Sequence, residues 1–183
     1  MREPLNLPAA LHEAGQAAGI GQLELGLGVI TGHRFIERVP MRKFVFVFVI
    51  LVLCGCVKSI HTAAIDQNIR EVEQYLAKGE DINAADRYGF TPLIYAAYYG
   101  HYPMVKFLCE KGADVNRQNN EGQTALLYAA YYNHVNIARI LLAHKADPNI
   151  VNNYGYNALE YAKKYEYKEL QGILKAHGAK PLY

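Results

Sequence analysis

The sequence predicts an all-α solenoid of about four stacked helix-turn-helix units joined by short hairpin loops. Three observations lead there. A 33-residue unit occurs twice without a gap, from Ala84 to Asn116 and from Arg117 to Asn149, and thirteen of its aligned positions are identical. A fixed period of roughly 20 to 50 residues is the signature of a stacked array, in which each unit covers the apolar face of its neighbour. Inside each unit, residues that start and stop helices bracket two apolar stretches at helical spacing. The spacing also continues on both sides: Gly89, Gly122 and Gly155 recur, as do Asp81, Asp114 and Asp147 with Asn83, Asn116 and Asn149.

Residues 1–40 carry neither sustained helical periodicity nor strand alternation, and GIGQLELGLG is rich in glycine. They predict no folded domain. From residue 41 the chain changes in kind: Met41, Arg42 and Lys43 precede an uncharged run from Phe44 to Val57. As a helix that run would rise about 21 Å, short of the roughly 30 Å of a bilayer's hydrocarbon core, which favours a targeting segment over a span. Its end, Leu53-Cys54-Gly55-Cys56, resembles the lipobox of bacterial lipoproteins. The resemblance implies that residues 41–55 are removed, that Cys56 carries lipid, and that Val57, where an Asp would retain the protein, directs it to the outer membrane and the periplasmic face. An uncleaved anchor or a plain secretory signal are the competing readings. Because a signal sequence begins at the initiator Met, Met41 leaves two possibilities for residues 1–40: an untranslated stretch, or a cytoplasmic tail before an anchor with Arg42 and Lys43 held inside.

After a short tether, 56–59, the first unit spans 60–83. It has no leading hairpin, and Ala63, Ala64 and Val72 align with Ala96, Ala97 and Val105, so it reads as an N-terminal cap. The unit at 84–116 shows the design most clearly. Thr91 is a hydroxyl N-cap, and Pro92 occupies the first helical position, where its missing N–H costs nothing. The helix runs through Leu93, Ala96 and Ala97 to Gly100, which accepts the left-handed conformation of a helix end. In the unit at 117–149 Asn133 takes that place, the residue that tolerates this conformation next best. A second helix follows, with Pro103 in its first turn, a stripe of Met104, Val105, Phe107, Leu108 and Cys109, and Gly112 as its stop. Asp114 to Gly122 is polar and turn-rich, a loop or short hairpin reaching toward the next unit. The last unit, 150–180, keeps Gly155, Leu159, Ala162, Leu174 and Gly178 but places Lys163, Lys164, Glu166, Lys168, Glu169 and Lys175 on its helices, the polar outer face a terminal cap needs.

TPLIYAAYYGH and KGADVN resemble the ankyrin repeat, whose hallmark is Thr-Pro-Leu-His-x-Ala. The likeness covers about two thirds of the chain. Ile94, Leu127 and Glu160 stand where the pattern has His, Ala125 replaces Pro, and Lys145 replaces the helix-ending Gly. The resemblance implies a non-catalytic, monomeric protein-binding module.

Composition agrees. From Cys56 onward the chain has 14 Lys and Arg against 13 Asp and Glu, with no basic footprint for nucleic acid and no polybasic membrane patch. With Cys54 lost and Cys56 lipidated, only Cys109 remains, on an apolar stripe, which excludes a disulfide framework and predicts a buried, inert thiol. Asp81, Asp114 and Asp147 recur one repeat apart, wider than the roughly 5 Å of a retaining carboxylate pair, and read as turn residues. His101 and His134 fall at the junction of the two helices and read as hydrogen-bonding residues rather than metal ligands. No nucleophile elbow, phosphate loop or cofactor motif is present, so neither enzyme activity nor a cofactor is expected.

All fifteen tyrosines lie after residue 70. Tyr95, Tyr128 and Tyr161 share one helix position, which in the resembled family leans into the core. Tyr98 with Tyr99, Tyr131 with Tyr132, and Lys164 with Tyr165 end the first helices, which in that family face a concave groove. Arg87, Tyr88, Phe90, Glu121, Gln123, Tyr154 and Tyr156 lie on the adjoining hairpins. Rings one repeat apart are expected about 8–10 Å apart, as separate contacts rather than a closed stack. Tyrosine supplies large, rigid, amphipathic contact area, so these thirteen residues predict a surface for a periplasmic or secreted protein: a toxin or enzyme held by an inhibitor, or a client held by a scaffold. A structural envelope lipoprotein without a specific client is the alternative.

Overall fold

A computed structural model describes residues 59–182. The expectations for residues 1–40, for the signal 41–55 and for lipidation at Cys56 lie outside the described residues. Eight helices follow one another among those described: α1 Ile60–Ile65, α2 Ile69–Ala77, α3 Pro92–Tyr98, α4 Tyr102–Glu110, α5 Ala125–Tyr131, α6 Val135–Ala143, α7 Ala158–Lys164 and α8 Lys168–Ala176. The odd-numbered helices pack in series, α4, α6 and α8 form a second row, and each odd helix packs on the even helix after it. This is the expected all-α solenoid.

The local signals do what their chemistry requires. The Thr91, Thr124 and Asn157 side chains accept hydrogen bonds from the backbone N–H groups of Ile94, Leu127 and Glu160 at 3.3, 3.2 and 2.9 Å. Ser59 and Thr62 cap α1 reciprocally. Where Gly ends a helix, or Asn133 or Lys145 stands in its place, φ is positive: +76° at Gly100, +57° at Asn133, +86° at Gly112 and +68° at Lys145. Glu166 departs from the expected helical placement. It sits in the turn after α7 at φ +58°, the position of Gly100 and Asn133.

The core forms because small residues line the first row. Ala63, Ala64, Ala96, Ala97, Ala129, Ala130 and Ala162 are at most 1% exposed, letting helix backbones approach while Leu93, Leu108, Leu126, Leu141, Leu159 and Leu170 fill the layer between rows. Cys109 is buried within it, and burial followed by the nearby Glu110 charge pushes its thiol up to about 11, as an inert space-filler requires.

Two ladders of polar groups tie each repeat to the next. In the first, Asn83, Asn116 and Asn149 accept from the backbone N–H groups of Asp114, Asp147 and Lys180, each at 2.8 Å. Asp81, Asp114 and Asp147 are turn residues, each accepting from the N–H two positions on at 2.9 Å. The second ladder joins the hairpin tips: Asn120 N–H donates to the Tyr88 carbonyl at 3.1 Å and Asn153 N–H to the Glu121 carbonyl at 3.0 Å. Histidine adds a third kind of link, with His101 Nε2 2.8 Å from the Ile65 carbonyl.

Candidate protein-binding face

Each hairpin is organised by one side chain at the same register. Asp86 Oδ1 accepts from the N–H groups of Tyr88 and Phe90, both at 2.9 Å, and Asn119 and Asn152 repeat the arrangement. The same residues satisfy the tyrosines of the first row. Tyr95 donates to Asp86 Oδ2 at 2.7 Å, Asn119 donates to the Tyr128 hydroxyl at 3.3 Å, and Asn152 donates to Tyr161 at 2.8 Å. Burial raises the pKa of all three phenols, and for Tyr95 the Asp86 hydrogen bond adds to it. These rings are packing residues, as their shared position implied. The organising residues at 86, 119 and 152 escaped the sequence reading, although their 33-residue spacing as Asp, Asn and Asn was there to find.

The outer tyrosines are placed differently from expectation. Tyr98 meets Tyr99 at 4.9 Å between ring centroids, Tyr128 at 5.2 Å and Tyr132 at 5.1 Å, all edge-to-face. Tyr132 meets Tyr131 at 4.8 Å, Tyr131 meets Tyr165 at 5.4 Å, and Tyr165 lies on Tyr167 at 5.8 Å. Expected as separate contacts 8–10 Å apart, the rings instead form one continuous chain across three repeats. The reason is register: the contacts run from position 98 to 132 and from 131 to 165, one residue longer than the period, and two side chains reaching along the stack axis close the gap between backbones. Burial, and then the hydrogen bond with Tyr98, raise the Tyr132 phenol.

Burial corrects three expected contact residues. Tyr98 is 9% exposed, Phe90 4% and Gln123 2%. Tyr98 is held among three rings, Phe90 is stacked on Tyr95 at 4.8 Å, and Gln123 donates to the Tyr161 hydroxyl at 3.1 Å. None presents an accessible side chain to a partner. The Gln123 Oε1, also buried, has no partner among the described residues, whereas Tyr156 at the next equivalent position stacks on Tyr161 at 4.9 Å.

Of the remaining expected residues, Arg87, Tyr154 and Lys164 are exposed, and Tyr88, Tyr99, Glu121, Tyr131, Tyr132, Tyr156 and Tyr165 are partly exposed. Arg87 lies over the Tyr88 ring at 4.7 Å, and Lys164 lies over Tyr156 at 5.2 Å and Tyr165 at 5.4 Å. Neither cation joins an ion pair among the described residues. The Glu121 carboxylate engages the Tyr154 hydroxyl, whose pKa is raised first by burial and then by that charge and hydrogen bond. The face therefore offers half-exposed rings, their hydroxyls and two cations on rigid supports. Its chemistry suits recognition. Among the described residues no three His, Cys, Asp or Glu side chains are grouped to hold a metal ion, and no helix is long and apolar enough to cross a membrane.

Comparison with known proteins agrees with this architecture. A family model described as ankyrin repeats (many copies) matches residues 75–128 and 110–162. The chain is also similar to the DNA-binding protein RFXANK of Homo sapiens, at 40% identity over 53 residues, 28% of this chain and 20% of that protein. The chain thus spans about a fifth of that relative's length. The described residues form an ankyrin-repeat solenoid, and repeats of this kind are protein–protein interaction modules.

Proposed function

We infer that this ankyrin-repeat chain is a non-catalytic binding module, lipid-anchored through Cys56 in a bacterial outer membrane and facing the periplasm, which holds a periplasmic or secreted protein against its tyrosine-rich side. The observation carrying the reading is the aromatic chain from Tyr99 to Tyr167, with the exposed Lys164 over its Tyr165 ring and a second exposed cation, Arg87, over Tyr88 on a hairpin. Rigid tyrosines lose little entropy on binding, and cations so placed suit carboxylates or carbonyls on a partner. The near-neutral charge of the repeats favours a protein over nucleic acid. Inhibition and scaffolding use the same face and differ only in the client.

The test is affinity capture from envelope extracts with the wild-type chain, followed by binding measurements with Arg87→Ala, Tyr99→Ala and Lys164→Ala. Each should retain the wild-type circular dichroism spectrum, and at least one should weaken the captured partner about tenfold or more. Unchanged affinity in all three would overturn the face. The anchor is tested separately: Cys56→Ser should release the protein from membranes, and a mature N-terminal peptide joining residues 1–40 through Cys56 would refute cleavage.

A further inference from the structure

Three charges on the tyrosine side have no opposite charge to answer them. Arg87 lies over the Tyr88 ring at 4.7 Å, the Glu121 carboxylate engages the neutral Tyr154 hydroxyl, and Lys164 lies over Tyr156 at 5.2 Å and Tyr165 at 5.4 Å. None of the three joins an ion pair among the described residues. Two charged neighbours are already committed: both Asp86 oxygens accept internal hydrogen bonds, and Lys163 pairs with Glu160 at 2.8 Å.

The charges fall one to a repeat, in the order positive, negative, positive along the stack. The hairpin tips that carry the first two are in direct register, since Asn120 Nδ2 donates to the Arg87 carbonyl at 3.1 Å and Asn153 N–H to the Glu121 carbonyl at 3.0 Å. Lys164 comes instead from the end of α7, and its ammonium reaches the hairpin ring of Tyr156 in the last repeat, so all three border the same side. Beside them, the half-exposed rings of Tyr99 and Tyr132 lie 4.9 and 5.1 Å from a common ring, Tyr98, which limits their separation to about 10 Å, the spacing of stacked helices.

An occupant that meets one charge per repeat must advance about 8–10 Å between its own charges and keep them on one side. A polyproline-type segment does both: it has about three residues per turn and rises about 3.1 Å per residue, so every third side chain points the same way about 9 Å farther on. In a β-strand, side chains three residues apart point to opposite faces. We propose that the tyrosine side docks an extended, polyproline-type segment of a partner protein, whose acidic, basic and acidic residues, spaced three apart, meet Arg87, Glu121 and Lys164 in turn. The intervening residues pack on the half-exposed tyrosine rings, and such a segment loses little entropy because its conformation is populated before binding. This occupant presupposes the interaction reading above and specifies the segment that it leaves open.

The experiment is an amide NMR titration of the full chain with two end-blocked peptides, Asp-Pro-Pro-Lys-Pro-Pro-Asp and its charge-reversed form Lys-Pro-Pro-Asp-Pro-Pro-Lys. Their charge order is the same in either chain direction. The first should give saturable shifts at Arg87, Glu121, Tyr132 and Lys164 and bind about tenfold or more tightly than the second, an advantage that shrinks in about 0.5 M salt. Glu121→Gln, which keeps the shape of the side chain, should weaken the first peptide, and Glu121→Lys should turn the preference toward Asp-Pro-Pro-Asp-Pro-Pro-Asp. Equal binding of the first two peptides, shifts centred elsewhere, or no saturation overturns the proposal. So does tighter binding of a helical peptide that carries the same charges about seven residues apart, since a helix also advances about 10 Å over that length. If the peptides fail while a captured partner is still lost in the Tyr99→Ala variant, this occupant falls and the interaction reading stands.

Discussion

Replacing Tyr98 by alanine separates packing from recognition on the aromatic side. The ring is 9% exposed and lies edge-to-face with Tyr99, Tyr128 and Tyr132 at 4.9–5.2 Å. Truncating a buried aromatic costs about 3–5 kcal/mol through lost transfer energy and the cavity left behind, and three ring contacts place this site toward the upper part of that range. The hydrogen bond between Tyr98 and Tyr132 can be isolated with Tyr98→Phe, which should cost only about 0.5–1.5 kcal/mol. In a domain of this size each kcal/mol lowers the melting temperature by about 3–5 °C, so Tyr98→Ala should melt roughly 10–20 °C below wild type, and Tyr98→Phe within a few degrees of it. Urea unfolding followed by far-ultraviolet circular dichroism, with Tyr128→Ala as a buried reference, reads both. A Tyr98→Ala loss below about 1 kcal/mol would show that the ring is not held by its neighbours, and the closed aromatic chain would be refuted.

Three further substitutions probe single features. Lys145→Gly should stabilise the chain by about 0.5–1 kcal/mol, because Lys145 holds φ +68° where the equivalent Gly112 and Gly178 pay no Cβ penalty, and a loss in urea unfolding would contradict this. Gln123→Leu should leave stability unchanged or raise it by about 1 kcal/mol: it removes a buried carbonyl with no partner among the described residues, and Tyr161 keeps its bond from Asn152, so a loss above about 1.5 kcal/mol would refute it. His134 has a pKa lowered by burial, partly opposed by its bond to the Tyr98 backbone and reinforced by His101. Its neutral ring is therefore favoured in the fold, and its contribution is complete above the unfolded value near about 6.5 and lost as pH falls through the lower folded value. Thermal melts at pH 7.5 and 5.5 should show a larger drop for wild type than for His134→Gln, and an equal or smaller one would refute the assignment.

The sequence alone determined the elements, because their signals are local. Thr91, Thr124 and Asn157 start helices wherever they stand before an apolar run, Gly100 and Gly112 end them, and the Asn and Asp residues at 33-residue spacing pin the turns. A regular period then leaves one way to bury the alanine-lined faces, by stacking. What the tertiary structure decided is which aromatic side chains remain open to solvent. Tyr98 and Tyr99 are adjacent in sequence and chemically identical, yet the first is enclosed by rings from the next repeat and the second stays half-exposed. Phe90, Gln123 and Tyr156 share one position but meet different neighbours: Phe90 and Tyr156 stack on a tyrosine, whereas Gln123 hydrogen-bonds to one in the following repeat. Exposure of a long side chain depends on what the adjacent repeat presents across the gap and on the direction in which both chains lean. Neither quantity is encoded at the position itself, so the period could locate the face but could not say which of its residues a partner would touch.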